Sequence, residues 1–314
     1  MKSAIVVSQF SGDIANQRVR NVFNGIQSQF ALGPATNAAT QFTNFFYWSS
    51  VALSNYHAGF LSYRIRAYQG LTLDANLTYA HSLDDVGVNQ DTDQAFTNSY
   101  NPLYDYGTSL FDRKYVLTVL GVWELPFRSE KSWLKRIAEG WQIAPIVTVA
   151  SGLPLRVLNG SFQEFGQSSL GAQSEAIRIG SGGTDAGRHN VTPASGQCGS
   201  SGTLNIFANP QAVCSEFRPI QLSVDQTSRG GTLRGLKLWN LDLSLTKKIS
   251  ITERTSVTLS SEFFNMFNHV NFLDPGVSGY AGGAVSLQSP QTFGVITTQA
   301  NDPRQIQLGL RIDF

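Results

Sequence analysis

The chain has 314 residues, 14% charged and 41% apolar, with a net charge of +1. An average soluble domain carries roughly 25% charged residues; here that share is taken by Ser, Thr, Asn and Gln and by 29 glycines. Aromatics at 11% exclude a disordered chain, the absence of a basic excess excludes a nucleic-acid binder, and no apolar run approaches the roughly 18 residues of a membrane helix.

The N-terminus offers little. Met1-Lys2-Ser3 precedes only four apolar residues, Ala4 to Val7, too few for the apolar region of a secretory signal. Residues 1–53 are read as an outer loop or partial strand region, with a strand fragment at Ala4 to Phe10.

From residue 54 the chain alternates with period two, which places successive side chains on opposite faces of a strand. Leu61, Tyr63, Ile65 and Ala67 oppose Phe60, Ser62, Arg64 and Arg66. After Gln69-Gly70, a tight-turn pair, Leu71, Leu73, Ala75, Leu77 and Tyr79 oppose Thr72, Asp74, Asn76, Thr78 and Ala80. A third strand is predicted over Tyr115 to Leu125, though Val116, Leu120 and Val122 make its second face less polar. A fourth spans Trp141 to Ala150, and a fifth presents Trp239, Leu241, Leu243, Leu245 and Ile249 on one face. The sixth presents Val257, Leu259, Phe263 and Phe267. The last presents Ile306, Leu308, Leu310, Ile312 and Phe314.

These lengths, about ten residues, suit tilted strands crossing a bilayer better than a soluble sandwich, whose strands run nearer five or six. Tyr79, Tyr115, Trp123, Trp141 and Trp239 lie on the apolar face near strand ends, where membrane barrels carry aromatic girdles. The predicted fold is all-β: an antiparallel transmembrane β-barrel segment of about seven to eight strands, incomplete, with long extracellular loops. The connections alternate between short and long, the longest being Ser82 to Lys114, Ser151 to Lys237 and His269 to Pro303. Short turns are periplasmic and long loops extracellular in such barrels, which also puts the C-terminus on the periplasmic side. Phe293 to Ile296 is read as a small hairpin in an outer loop.

Catalytic chemistry is not visible. His57, His81, His189 and His269 are scattered without metal-ligand spacing, and no nucleophile elbow or phosphate loop occurs. Asp84, Asp85, Asp91 and Asp93 cluster in a loop but lack the remaining features of a calcium loop, so a solvated loop is the preferred reading. Neither an enzyme nor a bound cofactor is expected. Arg64, Arg66, Asp74, Glu262 and Arg311 fall on the polar face and are expected to line the lumen. Cys198 and Cys214 share a Gly/Ser-rich stretch, and either a disulfide or two free thiols fits their spacing, the disulfide being preferred.

The final residues, Gln307 through Gly309 to Ile312 and Phe314, resemble the C-terminal assembly signal of outer-membrane proteins. That resemblance implies the barrel assembly machinery as a partner. A broader resemblance follows from Asn55-Tyr56-His57-Ala58, Gly70-Leu71-Thr72, Thr78 to Asp85, Phe111 to Tyr115, Ser151-Gly152-Leu153-Pro154, Leu238 to Asp242, Glu262 to His269 and Asp302 to Gln307. Over residues 54–314 the chain resembles the barrel of Oar-like TonB-dependent transporters. The resemblance implies a bacterial outer-membrane receptor for active ligand uptake, with a barrel of about 22 strands, a plug and the TonB system as partners, and outer-membrane lipid around it. The chain reads as the C-terminal third of such a barrel, Met1 being an internal start or the gene truncated. The ligand stays unknown. The alternative is a small stand-alone barrel acting as an adhesin or structural anchor, with residues 4–10 as an eighth strand.

Overall fold

A computed structural model describes residues 52–85, 101–158, 175–180, 186–219, 225, 227, 229, 232–252, 254–277 and 282–314. Seven long strands make one antiparallel sheet. They are β1 (Ser54–Tyr68), β2 (Leu71–Asp84), β3 (Tyr115–Glu124), β4 (Trp141–Ala150), β5 (Leu238–Ser250), β6 (Ser256–Phe264) and β7 (Gln305–Asp313). Each pairs with its sequence neighbour, and the short strand Gly107–Thr108 adds to the outer end of β2.

The register locks one apolar face together. Leu77 lies opposite Leu61 and Leu117, Leu117 opposite Val149, Val149 opposite Trp239, Leu243 opposite Phe263, and Phe263 opposite Ile306. A slip of one residue in any strand would turn its entire apolar set to the polar side. The β1–β2 turn has φ of 49° at Gln69 and 79° at Gly70, the left-handed pair of a two-residue hairpin turn. A register shift between Ile65 and Tyr68, with Ala67 at φ 47°, puts a bulge beside Arg66.

Burial is inverted relative to a water-soluble protein. Leu308 and Leu310 in β7 are 76% and 66% exposed, whereas Leu155 and Phe207, in the connection after β4, are 0% and 1% exposed. An apolar face of this size, spread over a whole sheet, needs a non-aqueous neighbour. Among the described residues no helix is long and apolar enough to cross a membrane.

The aromatics form two rows. Tyr79 opposite Tyr115, with Trp239, stand at the outer end; Trp123 and Trp141 stand at the other. Arg64, Asp74, Glu262 and Arg311 all fall on the opposite, polar face, where Arg64 pairs with Asp74 at 2.5 Å. Arg66, expected on the same face, falls inside the register shift between Ile65 and Tyr68 and is not paired in the β1–β2 register. Leu120 and Ile146 face each other on the polar face too, which makes that side of β3 and β4 less polar.

Three expectations need correction. β6 stops at Phe264 rather than Phe267, because Asn265 turns left-handed at φ 51° and ends the ladder. β2 runs on to Asp84, since its outer end gains partners in β1 and in Gly107–Thr108. Phe293 to Ile296 is no hairpin: it follows the single turn Pro290–Thr292, buries Phe293, and bridges Val295 to Asn205. The strand fragment at Ala4 to Phe10, like Asp91 and Asp93, lies outside the described residues.

Candidate functional site: the outer lobe and its rim

The described residues of the two longest outer connections, 151–237 and 265–304, fold into one lobe. The strand Pro154–Leu158 lies at its centre, antiparallel to Leu233–Arg234 and parallel to Ala284–Ser286. Leu155, Val157, Ile206, Phe207, Val285 and Phe293 make a buried apolar core. The Phe207 and Phe293 rings lie 5.8 Å apart. Asn205, fully buried, ties the halves together: its side chain donates to the Phe293 carbonyl and accepts from the Phe207 N–H, both at 2.9 Å. The six-residue helix Pro210–Ser215 starts at Asn209, whose Oδ1 accepts from Ala212 N–H.

Cys198 and Cys214 form a disulfide that pins this helix to the core, with Cys198 buried and Cys214 packed on it. The bond closes a span of 16 residues, for which restricted chain entropy gives about 3 kcal/mol. Replacing both cysteines by serine should therefore lower the lobe's unfolding free energy by about 3 kcal/mol. Denaturant titration with a probe in the lobe measures it, and a loss below about 0.5 kcal/mol would show that the core alone holds the helix.

The lobe meets the barrel through buried ion pairs. Asp112, its side chain fully buried, accepts from Ser82 N–H at 2.7 Å and pairs with Arg234 at 2.7 Å. Arg234 also donates to the Asp112 carbonyl, and Arg113 donates to the Ser151 carbonyl at 2.5 Å. Arg229 reaches down to Asp84 at 2.8 Å. Asp85 accepts from Leu53 N–H, and Asp274 accepts from Leu236 N–H at 2.6 Å. Residues of Phe111 to Tyr115 and of Ser151 to Pro154 thus converge on one point of the rim.

The other rim cluster is built from asparagines. Asn265 donates to the carbonyls of His269 and Asp302 and accepts from His269 N–H. Asn271 exchanges two bonds with the Trp239 backbone, and Asn301 spans Asn271 N–H and the His269 carbonyl. Asp242 accepts from Asn265 N–H and Asn240. These join β5, β6 and β7 where they leave the membrane. The Asn-rich runs Glu262 to His269 and Leu238 to Asp242 are therefore built for backbone satisfaction at a strand end.

Several groups of the lobe and of the β2–β3 connection have shifted ionisation. Glu175 is raised by burial, against the pull of Arg156 and Arg229. The Tyr104 phenol is pushed to about 12, mainly by burial and then by Asp225. Asp274 is raised from 3.8 to about 6, mainly by burial, and lines a polar recess of about 250 Å³ with Gly276, Thr297 and Thr298. The sign follows from proton linkage: between about 4 and about 6 the folded state holds a proton on Asp274 that the unfolded state has released. Lobe stability should therefore fall as pH rises through that window and level off above it. Asp274→Asn should flatten the slope, as read from protease protection of the lobe; an unchanged slope would assign the effect to another group such as Glu175.

The histidines are distributed differently from their sequence positions. His57 lies directly opposite His81 across β1 and β2, His81 is 3.5 Å from Asp112, and His269 stacks on Trp239 at 4.4 Å. Among the described residues no three His, Cys, Asp or Glu converge as a metal set. The lobe core escaped sequence reading, although the alternation in Pro154 to Leu158 and the run Asn205-Ile206-Phe207 carried a signal for it.

Strands with one lipid-type face, two aromatic rows and folded loops on one side define a bacterial outer-membrane β-barrel. The chain belongs to the outer membrane beta barrel domain family, whose model matches residues 9–307. Neither the curated proteins nor the solved structures contain a match to it.

Proposed function

We propose that this chain is the C-terminal barrel portion of a TonB-dependent transporter, with the outer lobe taking part in ligand capture. The observation that carries the reading is the pair of sheet edges, β1 and β7, that no other strand among the described residues covers. Six antiparallel pairings in succession leave β1 and β7 running in the same direction. Antiparallel closure therefore needs an odd number of further strands, and an open edge in lipid leaves backbone groups costing several kcal/mol each. A second copy in the same membrane orientation meets the same mismatch. The transporter resemblance of the rim motifs, and a folded lobe above a polar sheet face, support uptake over a purely structural role.

Expressed alone, the 314-residue chain is expected to show no heat-modifiable gel mobility, and to gain it when co-produced with the polypeptide supplying the missing strands. A compact species that shifts on boiling would overturn the reading in favour of a stand-alone adhesin or anchor. Uptake is tested separately. In a transporter carrying this barrel, deleting residues 160–230 is expected to stop TonB-dependent ligand accumulation, and unchanged accumulation rejects the lobe's role.

A further inference from the structure

The periplasmic connection between β3 and β4 carries the helix α1 (Ser132–Ala138). Two side chains of the lipid-facing sheet surface hold its end. Trp141 Nε1–H donates to the Ile137 carbonyl at 2.8 Å, and Lys247 Nζ donates to the carbonyls of Ile137 and Glu139. The Lys247 ammonium also lies 5.2 Å from the centre of the Trp141 ring. Both residues belong to the apolar face, Trp141 lying opposite Lys247 in the register. The helix is thus fastened to the lipid side of the barrel and not over its lumen.

That position carries a net positive charge. Arg128, Lys131, Lys135 and Arg136 are exposed around the helix, Lys131 as its N-cap and Lys135 and Arg136 in its last turn. The same connection holds the acids Glu130 and Glu139, the latter accepting from Ser129 N–H, so four cations face two carboxylates. Apolar groups sit beside the cations: Ile137 is 61% exposed and Phe127 is 55% exposed. Basic side chains around exposed apolar ones, next to an interfacial tryptophan, are the chemistry of a helix lying in a headgroup layer.

We propose that α1 and its flanks form a binding site for anionic phospholipid headgroups of the periplasmic leaflet. Lys131, Lys135 and Arg136 meet the phosphate, while Ile137 and Phe127 enter the acyl boundary. Lys247 takes no direct part, since the helix end already occupies its ammonium.

The test extracts the assembled barrel with its lipid annulus into polymer nanodiscs. The ratio of phosphatidylglycerol to phosphatidylethanolamine is then measured against the bulk outer membrane. Each cation near a headgroup layer favours an anionic lipid by about fivefold, so the annulus should be enriched in phosphatidylglycerol. K135Q/R136Q should lose about fivefold or more of that enrichment. R188Q/K237Q, which removes the same charge from the outer side, should leave it unchanged. A wild-type annulus at the bulk ratio overturns the proposal, and this reading stands even where a variant fails to assemble. Equal loss in both variants overturns it as well. So does co-sedimentation with purified peptidoglycan that the K135Q/R136Q change abolishes while the lipid ratio stays the same, since the cations would then serve the cell wall.

Discussion

Asp112→Ala is expected to lower stability by about 3 kcal/mol and to loosen the outer lobe from the barrel rim. Losing one partner of a buried pair costs roughly 3–5 kcal/mol, because the other charge is left uncompensated. The low end applies, since the Arg234 side chain is 30% exposed and keeps its bonds to the Asp112 and Gly152 carbonyls. Ser82 N–H also loses its acceptor. Asp112→Asn keeps the shape and one acceptor oxygen but removes the charge, so its loss should be smaller. Denaturant midpoints and proteolysis of the lobe, compared across the two variants, measure both. A fall in midpoint with the lobe still as protected as in wild type would show that Asp112 serves the β2–β3 rim and not the lobe attachment.

Asn265→Ala should have the next largest effect, again about 3 kcal/mol. Three side-chain hydrogen bonds disappear, together worth about 2 kcal/mol net. Alanine is also forced into the left-handed region at φ 51°. Asn265→Gly removes the bonds but not the freedom to adopt that φ, so it should be milder than alanine by about 1 kcal/mol. The pair separates backbone conformation from hydrogen bonding. If glycine and alanine destabilise equally, the left-handed turn contributes nothing, and the account of why β6 ends at Phe264 is wrong.

The two rim clusters explain why certain segments stand out in the sequence. Phe111 to Tyr115 and Ser151 to Pro154 are nearly forty residues apart, yet Arg113 donates to the Ser151 carbonyl. Glu262 to His269 and Asp302 to Gln307 are similarly remote, yet Asn265 donates to the Asp302 carbonyl. At a membrane rim each strand releases backbone groups from its ladder while water is only partly available. Short polar side chains satisfy them locally. The same demand accounts for the low charge of the composition: lipid-facing positions exclude charge, and the rim and lobe use amides and hydroxyls in its place.

The lobe also bears on the proposed uptake role. An outer segment without a core would pay the ordering entropy on meeting a ligand. Here the Leu155, Phe207 and Phe293 core, the disulfide and the Arg229 and Arg234 anchors have already ordered it. A pre-formed surface binds with less entropic cost than a floppy one. The recess beside Asp274, whose carboxyl burial raises to about 6, sits where local acidity changes the lobe's charge.

The strands, their faces and their order were legible in the sequence by itself. Period-two alternation is a local property, and one apolar face at each of Leu71 to Tyr79, Trp239 to Ile249 and Ile306 to Phe314 leaves a single workable register. The two aromatic rows and the polar face holding Arg64 and Glu262 follow from the same alternation. Only the tertiary structure decided the lobe. Leu155, Phe207 and Phe293 come from distant segments with no shared period, so nothing local announces that they meet. The partners of Asp112 and Asn265 were hidden for the same reason, because a buried polar group is satisfied by whatever carbonyl or cation the fold brings within 3 Å. Strand periodicity is written along the chain; loop packing and polar satisfaction are set by which distant segments come into contact.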